Sequence, residues 1–197
     1  MSENFVQHHD IDPYDAAYSR HVGEIVSVQP ELDADAFKSL FRGHPGGVAV
    51  ITAQGENGPV ALTATSVASV SVDPAILIFS ISSISSSAPT ILDADTIVVH
   101  LLDAEDLDLA KLASTSGIDR FADTSIWTRL ATGEPLFPGV RAWARCAVVS
   151  RLEAGGSTVI AAHALQGQTN REPGLEPGPL VYHNRAWHRL SEASLIE

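Results

Sequence analysis

Hydroxyl side chains crowd the middle of this sequence. Thr63, Thr65, Ser66 and Ser69 fall within one β-branched stretch, and Ser80, Ser82, Ser83, Ser85, Ser86 and Ser87 follow, just ahead of Pro89. A hydroxyl-rich loop that leads into a helix can hold a phosphate, because hydroxyls, backbone amides and the helix dipole all turn positive ends toward an anion. The same composition also suits a solvated surface loop. No P-loop or dinucleotide glycine fingerprint is present, so the serines alone leave both readings open.

Other chemistry is sparse. No nucleophile triad or paired-carboxylate motif stands out. His8, His9 and Asp10 could chelate a metal, but no second ligand pair at zinc-like spacing follows, so no metal site is expected. His100 and His163 sit in apolar stretches and read as satisfied core or rim residues. Cys146 reads as a small buried hydrophobe, and Trp127, Trp143 and Trp187 as core or interface anchors.

The elements that must position these residues are mostly strands. Residues 1–32 show no sustained apolar period and are expected to form a tail or arm; the domain is expected over 33–190, with a short tail over 191–197. Asp33 can cap a short helix carrying Phe37, Leu40 and Phe41 on one face. Strands are expected over 48–53, 60–71, 75–80 and 96–102, then 142–152 and 157–165 around a glycine turn, and finally 180–183 and 186–190. Short helices are expected after Pro89 and after Asp103. Many short strands with few helices point to an antiparallel barrel.

Composition bounds the setting. The 197 residues are 45% hydrophobic and 18% charged, the balance of a folded domain. A single cysteine rules out an intrachain disulfide. The opening residues lack the basic and apolar runs of a secretory signal, which makes the cytoplasm the expected location, with no membrane partner. A net charge of −12 argues against nucleic acid as a partner.

Four segments narrow the choice: FRGHPGGVAVIT at 41–52, LTATSVASVSVDP at 62–74, DRFA at 119–122 and PLVYH at 179–183. Together, and in this order, they resemble the flavin reductase-like family. The resemblance implies a mainly β fold, an FMN-binding split β-barrel with a few short helices, assembled as a homodimer. It also implies FMN, sometimes FAD, reduced by NADH or NADPH, and often passed to a partner monooxygenase. Carried over by position, Thr63, Ala64, Thr65, Ser66 and Val67 would edge the isoalloxazine ring, with Ser80 and Ser82 at its polar rim. Ser85, Ser86 and Ser87 match the phosphate-binding group, and Pro45 and Gly46 match a Pro-Thr pair facing the ring. Arg120, Phe121 and His183 match positions near the flavin or the nicotinamide. Hydride chemistry then belongs to the cofactors, and no catalytic side chain is required.

Two departures from the family pattern stand out. Gly155, Gly156 and Ser157 replace a frequent Gly-Asp-His turn whose histidine is associated with the nicotinamide. Ser83 and Ile84 stand where a basic residue commonly precedes the phosphate serines. Two other functions are compatible with the same residues: another FMN-dependent oxidoreductase on this barrel, and a flavin-binding or storage protein without efficient turnover.

Overall fold

Period-two burial along the strands decides the architecture, which a computed structural model describes for residues 32–170 and 178–196. Most of the expected N-terminal tail, including His8, His9 and Asp10, lies outside the described residues. Helix α1 (Ala34–Arg42) is capped as expected: Asp33 Oδ1 accepts hydrogen bonds from the Asp35 and Ala36 amides, both at 2.9 Å. The Phe37 and Phe41 rings pair on it at 4.9 Å.

From Arg42 onward the chain runs through β1 (Gly46–Gly47), β2 (Ala49–Gly55), β3 (Gly58–Ala64), β4 (Ala68–Val72) and β5 (Ala75–Ser82). Helix α2 (Ala88–Asp93), with Pro89 in its first turn, leads to β6 (Thr96–Leu101). Asp103 then opens a 3₁₀ turn (Ala104–Asp106) that continues into α3 (Leu107–Ser114). The small hairpin β7 (Thr128–Arg129) and β8 (Pro135–Leu136) precedes the long hairpin β9 (Ala142–Ala154) and β10 (Ser157–Thr169). β11 (Leu180–His183) and β12 (Ala186–Arg189) close the sequence of strands.

Seven strands form one antiparallel sheet in the order β3-β2-β6-β9-β10-β5-β4. Its two edge strands, β3 and β4, are neighbours in sequence. Four residue steps from Ala64 to Ala68 reach at most about 14 Å. A flat sheet of this order would hold its edges nearly 30 Å apart, at roughly 4.8 Å per strand. The sheet therefore curls until its edges meet, and it stays open there, because β3 and β4 share no ladder. A mainly β fold with a few short helices is what the sequence predicts. The single expected strand over 60–71 is a correction: the chain leaves the ladders at Thr65, Ser66 and Val67 and starts a new strand.

Two apolar clusters follow from strand alternation. Ala49, Ile51 and Ala53 of β2 point inward with Leu62, Phe79, Ile97, Cys146 and Ile160. Val48 and Val50 point the other way, against Leu102, Ala110, Phe121 and Phe137. Both faces of β2 are thus covered, and its first five residues are all buried. Cys146 is fully buried, and burial pushes its thiol up to about 11, so it serves as a core residue as expected. His100 is fully buried too: its Nδ1–H donates to the Val50 carbonyl (3.0 Å) and its Nε2 accepts from the Phe137 amide (3.1 Å). The ring is neutral, and burial pushes its pKa down to about 4.

The outer face of β5 and β10 is different. Ile160 and Ala162 face the core, so Val159, Ala161 and His163 face outward beside Ile76 and Ile78. Leu152, opposite Val159, is 65% exposed. This face carries half-buried apolar side chains beside the exposed Leu152.

Candidate functional site

The curled sheet draws the predicted site residues into two adjoining groups. The first is built where β1 crosses the β3–β4 seam. Gly46 pairs with Tyr182 of β11, so Pro45 and His183 stand next to each other at the end of that ladder. A Cβ placed on Gly46 would lie 2.7 Å from the Thr65 carbonyl oxygen and 3.0 Å from the Thr65 Cβ. Real Cβ atoms do not approach backbone so closely, which accounts for glycine here instead of the family's threonine. Thr65 and Ser66 are exposed, whereas Ala64 is buried and Val67 packs on the inner cluster. His183 is half-buried, with its ring 5.6 Å from that of His188.

Hydroxyls near the seam are divided between structure and surface. Thr63 donates to the Ala110 carbonyl at 2.7 Å and ties β3 to α3. Ser66 bridges the seam: its Oγ donates to the Ser80 carbonyl (3.2 Å) and accepts from the Ser80 amide (2.9 Å). One hydroxyl thus joins the β3–β4 connection to β5.

The second group is the serine loop. Ser85 N–H donates to the Ser82 carbonyl at 3.0 Å, turning the chain toward α2. Ser82 and Ser86 are exposed, Ser85 is half-buried, and Ser87 is buried, donating to the Ala61 carbonyl at 2.8 Å. The β9–β10 turn docks on this loop, because the Gly156 carbonyl accepts from both the amide and the hydroxyl of Ser83, each at 3.0 Å. The Gly155-Gly156-Ser157 departure therefore borders the serines, and Ser157 pairs with Ser82.

Arg120 supplies the cation that the sequence lacks before the serines. Its Nη1 donates to Ser87 Oγ at 3.4 Å across 33 residues of sequence, and its Nη2 is anchored on the Thr115 carbonyl at 2.7 Å. Its Nε is buried with no hydrogen-bond partner among the described residues. A buried, unpaired guanidinium N–H is costly, and beside a hydroxyl-lined loop it suits an anion with several oxygens. Phe121, next in sequence, takes another role: its side chain is buried, stacked on Phe137 (5.6 Å) and edge-on to Trp127 (5.0 Å). Like Ala64 on the other cluster, this expected site residue is packed into the core.

Reasoning from sequence missed the parts that hold Arg120. Trp127 Nε1 donates to the Phe121 carbonyl (3.0 Å), and the Asp119 carboxylate accepts from the Phe121 amide (2.9 Å). Below them, buried Glu134 ties β8 to β6 and β9. Burial alone would raise its carboxyl, but bonds from Thr132, Thr96 and Arg145 hold it below the usual range.

The chain matches the flavin reductase like domain over residues 41–191. It belongs to the flavin reductase-like family. It is 34% identical over 168 residues to an NADH:FMN oxidoreductase of Rhodococcus erythropolis, covering 83% of this chain and 88% of the relative. Over 127 residues it is 35% identical to the reductase component of a flavin-dependent trigonelline monooxygenase of Acinetobacter baylyi, covering 64% of this chain and 39% of that protein. The solved flavin reductase domain protein of Arthrobacter sp. FB24 superposes with a TM-score of 0.76 at 30% identity, covering 84% of this chain and 99% of that one. The protein is accordingly an NAD(P)H-dependent flavin reductase, with flavin and nicotinamide as its cofactors.

Proposed function

We propose that this flavin reductase binds FMN along the β3–β4 seam, with the flavin phosphate on Ser85, Ser86 and Ser87 under Arg120. The observation that carries this reading is the buried, unpartnered Arg120 Nε beside Ser87. Thr63 to Val67 border the ring and Ser80 and Ser82 its rim, while Pro45, Gly46 and His183 flank the approach of the nicotinamide. Bound flavin supplies the acceptor atom for the hydride. The chain's own residues position it: Ser66 ties the seam to β5, and Gly46 keeps the backbone close to Thr65 without a side chain between them. Alignment of two rings, rather than a proton-moving side chain, then governs the rate.

A second copy covers the outer face of β5 and β10, making a homodimer; the half-buried Ile76, Ile78 and Val159 beside exposed Leu152 support this pairing. The domain runs over 33–190 and works in the cytoplasm, with no nucleic acid or membrane partner. No described helix is long and apolar enough to cross a membrane. Reduced flavin passes to a separate oxygenase, as the name of the Acinetobacter relative indicates for that protein.

Titration with FMN and with riboflavin tests the phosphate assignment, and NADH oxidation with excess FMN tests turnover. FMN should bind at least tenfold more tightly than riboflavin, and light scattering should give twice the chain mass. Equal affinity for the two flavins would move the phosphate elsewhere. A bound yellow chromophore without NADH turnover would favour a storage role.

A further inference from the structure

Phe137 stacks on Phe121 and also lines a cavity of about 660 Å3 beside α3. Leu109, Leu112, Ile126 and Phe137 give it an apolar floor. Four carboxylates, Glu105, Asp106, Asp108 and Asp123, share its lining, and no lysine or arginine does. None of the residues assigned to the flavin site lines it.

The carboxylates differ in what occupies them. Glu105 is paired with Arg189, and Asp106 accepts from the Asp103 amide at 2.9 Å. Arg141, the other nearby cation, is paired with Asp103 at 2.8 Å. Asp123 is held by the Ser125 amide and hydroxyl, at 2.9 and 2.6 Å. Asp108 has no hydrogen-bond or ion-pair partner among the described residues. Three carboxylates, half-buried Asp106 and exposed Asp108 and Asp123, thus border the apolar hollow with no ion pair among the described residues.

The hollow has the volume of a small-molecule site, on the scale of roughly 300–1,000 Å3. Its charge has the wrong sign for a flavin phosphate or a nicotinamide dinucleotide, both of which are anions. We propose that this cavity binds an organic cation with an apolar body, an arylalkyl ammonium. The apolar part rests on Leu109, Leu112 and Ile126. The ammonium faces Asp108 and Asp123 at the open side of the hollow, where the carboxylates attract it.

Benzyltrimethylammonium is the probe. Its binding to the full chain is followed by calorimetry and by tryptophan fluorescence, since Trp127 adjoins Ile126 and packs edge-on to Phe121. Phenylacetate and benzyl alcohol, with the same ring, serve as anionic and neutral controls. The expected result is a Kd below about 1 mM for the cation, with both controls at least tenfold weaker. The double variant Asp108→Asn, Asp123→Asn weakens the cation at least tenfold, and Ile126→Trp, at a position 39% exposed, blocks it by filling the mouth. FMN affinity stays unchanged in every variant. Cation binding that survives Ile126→Trp, phenylacetate binding as tight as the cation, or no heat and no fluorescence change at about 10 mM would each overturn the proposal.

Discussion

Replacing Arg120 by methionine keeps an unbranched apolar stem and removes the guanidinium. Two consequences can be separated. The bond from Nη2 to the Thr115 carbonyl is made at an exposed residue, where water takes over, so folding loses only about 0.5–1.5 kcal/mol. The phosphate loses Nε and the neighbouring Nη1. A hydrogen bond to a charged group contributes about 1.5–3 kcal/mol, and Arg120 is only partly buried, so two such bonds together are set at about 2–3 kcal/mol. FMN affinity should fall by roughly 30- to 150-fold. Quenching of flavin fluorescence measures it, with riboflavin titrated in parallel because it lacks the phosphate. Riboflavin should bind the parent and the variant alike, and Arg120→Lys should recover part of the loss as a point charge without the guanidinium fork. The reasoning is refuted if FMN affinity changes by less than about threefold, or if riboflavin weakens as much as FMN.

Gly46→Ala puts a Cβ 2.7 Å from a backbone oxygen that cannot rotate away, so the seam must shift. Flavin reductase kcat/KM should drop at least tenfold, with a stability loss of about 1–3 kcal/mol in urea melts. At the β9–β10 turn, Gly155 has φ +61° and must stay, whereas a side chain at Gly156 meets nothing within 4 Å. The double variant Gly156→Asp, Ser157→His should therefore fold normally and raise kcat/KM for NADH by about tenfold. A fall in the FMN Kd with NADH kinetics unchanged would instead assign the new histidine to the adjoining serine loop. His100 remains neutral in the fold at about 4 while the unfolded chain takes up its proton near 6.5. Its contribution is complete above pH 6.5 and shrinks as pH falls toward 4, by about 3 kcal/mol. His100→Gln should be less stable than the parent at pH 7, and the gap measured by denaturant midpoints should narrow steadily toward pH 4.

Strand positions were legible because glycine, proline and aspartate punctuate β-branched runs at 55–59, 73–74 and 153–156. The break at Thr65 to Val67 was not. Those residues continue an alternating, hydroxyl-rich strand pattern, and only the curl of the sheet forces them off the ladder. Arg120 illustrates a second limit. As part of Asp119-Arg120-Phe121 it could be carried over by resemblance, but its bond to Ser87 spans 33 residues and depends on Trp127 and Asp119 holding the intervening loop. Phe121 shows the converse limit, since local sequence cannot tell an aromatic facing a ligand from one packed against Phe137 and Trp127. The cavity beside α3 mixes residues from 105 to 140, and no local motif announces it.

The unpaired seam has a consequence for adaptability. In a closed barrel, strand number and shear lock the radius, so the bore can change only by breaking rungs. Here the circuit is completed by a single serine hydroxyl lying across two backbone groups of Ser80. Because β5 is laddered to β10 as well as to β4, the gap at the seam follows the curl of the whole sheet and is tied to β5 only by the two bonds of Ser66 to Ser80. A change in that curl costs two hydrogen bonds of one hydroxyl, where a closed barrel would lose rungs. For the proposed binding mode, this makes the seam the place where the wall yields at least cost when a second ring is stacked on the first.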